Sequence, residues 1–173
     1  MSLLERVAVF LSAHGVRHAL IGAAALAAHG VSRSTADQDL LVVDARVLDA
    51  QFWASFREAQ SLDVRTGDAD DPLVGVVRLR QSGDRDVDVI VGRGTWQSET
   101  LQRAVQITGG PLFLVEAADL IVLKLYAGGS QDRWDIEQLL ALDTTGATRR
   151  AVDERVKALS AQSRDLWRAL RTD

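Results

Sequence analysis

The sequence predicts an α+β fold: a small mixed or antiparallel sheet flanked by helices, followed by a helical C-terminal part. Three observations lead there. Short apolar runs at 17–22, 38–43, 74–80 and 86–91 are bounded by turn residues and read as strands. The last two are joined by Gln-Ser-Gly-Asp-Arg (81–85), a hairpin-like connection. Beyond Val115 the chain reads as helices alone, interrupted at Gly128-Gly129.

Taken in order, Leu3, Leu4, Val7, Phe10 and Leu11 have helical spacing, and Gly15 ends that helix. Arg17–Gly22 is a short strand, and Gly22 turns the chain into the alanine-rich segment 23–28, closed by Gly30. Gln38–Val43 is a strand whose continuous apolar character predicts burial on both faces. Asp44 is placed to cap a helix running towards Gln60 through Val47, Leu48, Phe52 and Phe56. Leu62–Thr66 reads as a short strand and Gly67–Pro72 as a solvated loop. After the hairpin strands, Thr95 is placed to cap a helix reaching about Gln106, and Pro111–Val115 is a brief extended piece. Helices follow at 116–126 and 132–142, with one or two more in the last 25 residues.

The division expected from this pattern is a core over 1–115 and a helical extension over 116–173 packed on it as one unit. With 173 residues and 47% apolar residues, the chain can build an ordinary core. It has no cysteine, which excludes disulfides and thiolate metal sites and fits a reducing cytoplasm. Met1–Leu11 carries Glu5 and Arg6 and reads as an amphipathic helix, not a leader. No apolar run is long enough to span a membrane. The net charge of −4 argues against nonspecific coating of nucleic acid. The last 25 residues, however, hold seven basic and four acidic side chains, a basic helical tail.

The chemically demanding stretch is Leu20–Leu40. Asp37 and Asp39 lie one residue apart at the start of an apolar strand, so both project to one face. Like charges so placed repel unless a cation sits with them, and oxygen-only donors point to Mg²⁺ or Mn²⁺. Gly22, at a strand-to-helix junction, lets backbone approach a ligand closely, beside a helix N-terminus suited to phosphate. A third carboxylate comes from Asp86 or Asp88 on a later strand; Asp88 lies deeper in the apolar run and is the more costly to bury unpartnered. Lys124 lies in an apolar helical segment, where its ammonium either snorkels out or reaches the site as a phosphate or carboxylate partner. Asp132 and Asp135 share a helix face, with Asp132 read as a cap. His14 and His18, split by Gly15, lack zinc spacing, and the four tryptophans are scattered as packing residues.

Gly22-Ala23, then Asp37-x-Asp39, then Asp88 on a later strand resembles the nucleotidyltransferase superfamily of the DNA polymerase β type. The finer pattern, His29-Gly30 to Arg33-x-Thr35-x-Asp37-x-Asp39-Leu40, is similar to its minimal bacterial branch, including the AbiEii-like toxins. A second block agrees: Asp119-Leu120, Lys124, Ala127-Gly128, Asp132 and Asp135-Ile136. The resemblance implies transfer of a nucleoside monophosphate from an NTP to an acceptor hydroxyl with release of pyrophosphate. It makes Asp37, Asp39 and Asp88 the catalytic metal ligands for Mg²⁺ or Mn²⁺ and sets Gly22, Ala23, Arg33 and Lys124 against the nucleotide. It implies a tRNA, protein or small-molecule acceptor and a toxin–antitoxin or phage-defence setting with a cognate antitoxin. The family carries Gly or Ser after its glycine, and Ala23 departs from that. This departure keeps a second reading open, a weak or inactive module of the same fold that binds NTP or a partner.

Overall fold

Ser2 opens the first helix, α1 (Leu3–Ala13), with a reciprocal cap: its hydroxyl accepts from the Glu5 N–H while the Glu5 carboxylate accepts from the Ser2 N–H. The apolar spacing read from the sequence becomes the buried face Leu3, Leu4, Val7, Ala8 and Leu11. The computed structural model describes residues 1–32, 37–68 and 73–171. Arg33 and the 69–72 part of the predicted loop therefore lie outside the described residues.

Two compact units divide the chain: Met1–Ala24 with Ser34–Val115, and Ala25–Arg33 with Glu116–Asp173. The first carries the sheet. Its strands are β1 (His18–Ile21), β2 (Gln38–Val42), β3 (Ser61–Thr66), β4 (Leu73–Arg80), β5 (Val87–Gly92), β6 (Val105–Gln106) and β7 (Phe113–Leu114). They form one mixed sheet in the order β3-β4-β5-β2-β1-β7-β6. β2 lies beside β5 in parallel and beside β1 antiparallel, which makes it central. Leu40, Leu41 and Val42 are accordingly fully buried, as the continuous apolar run predicts. Helices α1 and α3 (Thr95–Arg103) lie against β1 and β2. Helix α2 (Gly22–Ala28) begins directly at the end of β1.

Two expected elements differ. In place of one helix from Asp44 towards Gln60 there are two short 3₁₀ turns, Ala45–Leu48 and Ala50–Trp53. The reason is local: Asp44 caps the first by accepting from the Arg46 N–H, and Asp49, in extended conformation, starts a new cap on Gln51. An Asx side chain satisfying a nearby N–H competes with helix propagation, and here it wins twice. The cap of α3 is Gly94 rather than Thr95, with Gln97 reaching back to the Gly94 N–H at 2.6 Å. β6, which pairs with β7, is an additional strand where the sequence suggests the end of a helix.

The second unit is helical: α4 (Ala117–Ala127), α5 (Ser130–Ala141), α6 (Ala147–Arg155) and α7 (Ala161–Leu170). Gly128, in the left-handed region at φ 71°, ends α4 and returns its N–H to the Lys124 carbonyl. Asp132 caps α5 by accepting from the Gly129 N–H at 3.0 Å, as read from the sequence. Among the described residues no helix is long and apolar enough to cross a membrane.

Candidate functional site

The parallel pairing of β2 with β5 sets Asp39 directly opposite Asp88. Partners in register project from the same face, so the two carboxylates emerge side by side from the sheet. Asp37, just before β2, shares that face by period two. Asp88, distant in sequence, is thus gathered with Asp37 and Asp39 at one end of two central strands.

Gly22 explains how Asp39 is accommodated. β1 pairs Ile21 with Asp39, so the next residue passes beside that carboxylate. A Cβ on Gly22 would overlap Asp39 Oδ2 and stand 3.0 Å from its Cγ. The backbone there also has φ +63°, which an L side chain adopts at a cost. Gly22 is therefore required twice, by conformation and by the close approach of Asp39. Ala23, the departure noted in the sequence, is buried.

A residue unremarked in the sequence sits at the centre of the cluster. Arg78 on β4 donates from Nε to Asp88 Oδ1 at 2.7 Å and from a terminal nitrogen to Asp88 Oδ2 at 2.5 Å. The same terminal nitrogen lies 3.4 Å from Asp37 Oδ2. One guanidinium thus bridges two of the three carboxylates. The paired charge-assisted bonds to Asp88 hold Arg78 more firmly protonated than usual; partial burial opposes this, and the charges of Asp88, Asp37 and Asp86 reinforce it. Two residues further along each strand Arg80 pairs with Asp86 at 3.0 Å, so Asp86 belongs to a separate pair. The signal for both pairs was in the sequence. A hairpin turning at Gly83 sets Arg78 across from Asp88, and an arginine in an apolar strand demands a partner.

Lys124 lies in the helical unit. Its ammonium donates to Asp135 Oδ2 at 2.5 Å and to Asp132 Oδ1 at 3.2 Å, joining α4 to α5. Its carboxylate partners lie on α5 of the same unit. Asp119, in the same unit, is buried against Arg155 at 2.8 Å.

The donor chemistry of Asp37, Asp39 and Asp88 fits a hard divalent cation, since all are carboxylates and one cationic group already bridges two of them. In the present side-chain arrangement, no group of three His, Asp or Glu among the described residues is posed to hold a metal ion.

No protein-family model matches the chain, and no curated protein matches it. Solved structures do. JHP933 from Helicobacter pylori is 13% identical, with 98% of this chain and 91% of that one covered, at a TM-score of 0.52. A candidate nucleotidyltransferase from H. pylori gives 13% identity, 98% and 94% coverage and the same TM-score of 0.52. An antigenic nucleotidyltransferase-like protein from Paracoccidioides brasiliensis is 20% identical over 99% and 94%, at 0.49. By the first two of these likenesses, the chain shares the fold of JHP933 and of the H. pylori nucleotidyltransferase candidate.

Proposed function

We propose that this protein is a metal-dependent nucleotidyltransferase that moves a nucleoside monophosphate from an NTP to an acceptor hydroxyl, releasing pyrophosphate. The observation that carries this reading is the placement of Asp39 opposite Asp88 on adjacent parallel strands, with Asp37 bridged to Asp88 through one cation. A carboxylate cluster of this kind, on this fold, would hold Mg²⁺ or Mn²⁺ through Asp37, Asp39 and Asp88. Bound divalent ions would neutralise triphosphate charge and ease ionisation of the acceptor hydroxyl. Asp88, on a central strand and mostly buried, fixes the acceptor side of the site. Asp37 and Asp39 serve the triphosphate side. Gly22 keeps the backbone close, and the Ala23 N–H faces the β- and γ-phosphates. Arg33 enters this reading only through the family resemblance, as a nucleotide contact; Lys124, which the same resemblance sets against the nucleotide, is held by Asp135 and Asp132. The same resemblance supports the AbiEii-like branch, a cytoplasmic toxin–antitoxin or phage-defence setting, and a tRNA, protein or small-molecule acceptor.

The test is label transfer. The protein is incubated with each α-labelled NTP, Mg²⁺ and a cell extract, beside Asp39→Asn. We expect a labelled product with the intact protein, reduced at least about 100-fold by the substitution, the scale of a lost electrostatic contact at a reacting centre. Nuclease and protease sensitivity then name the acceptor class. A second reading, a module that binds NTP without turnover, is favoured by one observation: Arg78 holds both oxygens of Asp88. Mg²⁺-dependent NTP binding with no labelled product would support it.

A further inference from the structure

We propose that Arg78 occupies the cation position of the carboxylate cluster in the nucleotide-free protein, and that a divalent cation binds there only as the guanidinium leaves Asp88. This rests on the function proposed above and adds a control step to the same site.

Geometry and charge carry it. Arg78 engages both Asp88 oxygens and reaches Asp37 with the same nitrogen that bonds Asp88, so one positive group sits where the carboxylates converge. A planar fork matches a carboxylate in a way that a point charge does not. A divalent ion at the same carboxylates would be repelled by the neighbouring guanidinium, so the two cations compete. Their mobility differs. The Asp88 side chain is 11% exposed and anchored mid-sheet, while Arg78 is 34% exposed and Asp37 42%. The arginine is the partner with solvent to move into. Its neighbour cannot take its place, because Arg80 is paired with Asp86. Arg78 is thus a positioning residue that keeps Asp88 and Asp37 together until metal arrives.

The probe is Mn²⁺ alone, followed by electron paramagnetic resonance on the full chain. Wild type, Arg78→Gln, Arg78→Lys and Asp39→Asn are compared, with folding of each checked by circular dichroism. We expect Arg78→Gln to bind Mn²⁺ about tenfold more tightly than wild type, an ordinary coupling between competing ligands. Arg78→Lys, which keeps the charge and loses the fork, should fall between them. A merely structural arginine would give the reverse, because losing it would disorder the ligands. Folded Arg78→Gln that binds Mn²⁺ no better than wild type, while Asp39→Asn binds worse, overturns the role of Arg78 and leaves the proposed function standing. Equal, negligible binding by all four proteins, with or without NTP, overturns the proposed function and this inference with it.

Discussion

The two units each set acidic side chains around one basic group, and the two clusters differ in a way that separates chemistry from scaffolding. In the helical unit, Lys124 is 7% exposed and Asp135 is completely buried. In the sheet unit, Arg78, Asp37 and Asp88 are 34%, 42% and 11% exposed. The Lys124–Asp135 pair leaves little access for a competing ion, although Asp132 beside it is 23% exposed. An open cluster can exchange one cation for another. Residue types alone do not distinguish them, because both clusters set aspartates around a basic residue. Solvent access does.

The largest effect should come from breaking the closed pair. Asp135→Ala leaves a buried ammonium with Asp132 alone, and we expect a loss of about 3–5 kcal/mol in urea unfolding. The double variant Lys124→Met with Asp135→Leu should cost less than that single substitution, because it removes the stranded charge as well as the pair. Equal losses would mean that the pair is not closed as described.

Gly22→Ala comes next. The left-handed backbone and the overlap with Asp39 should together cost about 2 kcal/mol. Unlike the helical substitution, this one should also weaken Mn²⁺ binding, because Asp39 must move. Unchanged metal affinity in a folded Gly22→Ala protein would detach Gly22 from the site.

The smallest effect concerns His18, which shows that openness belongs to the cluster rather than to the whole sheet unit. His18 is buried on β1, with its Nδ1–H donating to the Val16 carbonyl at 3.2 Å and Phe113 set edge-on at 5.9 Å. Burial lowers its pKa from the ordinary 6.5, against the Val16 hydrogen bond and the nearby Pro111 backbone, which act to raise it. The unfolded chain therefore takes up the proton first as pH falls, and stability is lost from about pH 6.5 downward to the folded pKa. Thermal melts between pH 7 and 5 should show this slope, and His18→Asn should flatten it. A slope unchanged in the variant would assign the titration to other groups.

Much of this was legible in the sequence, for reasons that differ by element. The run Leu40–Val42 gave away a central strand because burial on both faces leaves no polar alternation, while Val43, expected in it, lies beyond the strand and is exposed. Asp37, Asp39 and Asp88 were legible as costly residues in apolar strands. Their convergence was not, because it depends on β2 and β5 lying side by side in parallel, a long-range pairing that no local pattern encodes. Arg78 could have been found by hairpin register, yet its reach to Asp37 needs that same long-range pairing. The helix expected over 45–60 failed because propensity and apolar spacing ignored Asp49, whose side chain starts a second cap. For Lys124 the sequence left snorkelling out and reaching the site both open; its pairing with Asp132 and Asp135 depends on the helical turn at Gly128-Gly129, which local pattern does not specify.

The contrast between an open and a closed cluster is tested most directly by paramagnetic broadening. Substoichiometric Mn²⁺ is added to the ¹⁵N-labelled protein and amide signals are followed. Broadening should be strongest at Gly22, Ala23, Asp39 and Asp88, and weaker at Lys124, Asp132 and Asp135. Broadening centred on Asp132 and Asp135, or spread evenly over the acidic surface, would contradict a cation site at the strand-borne carboxylates.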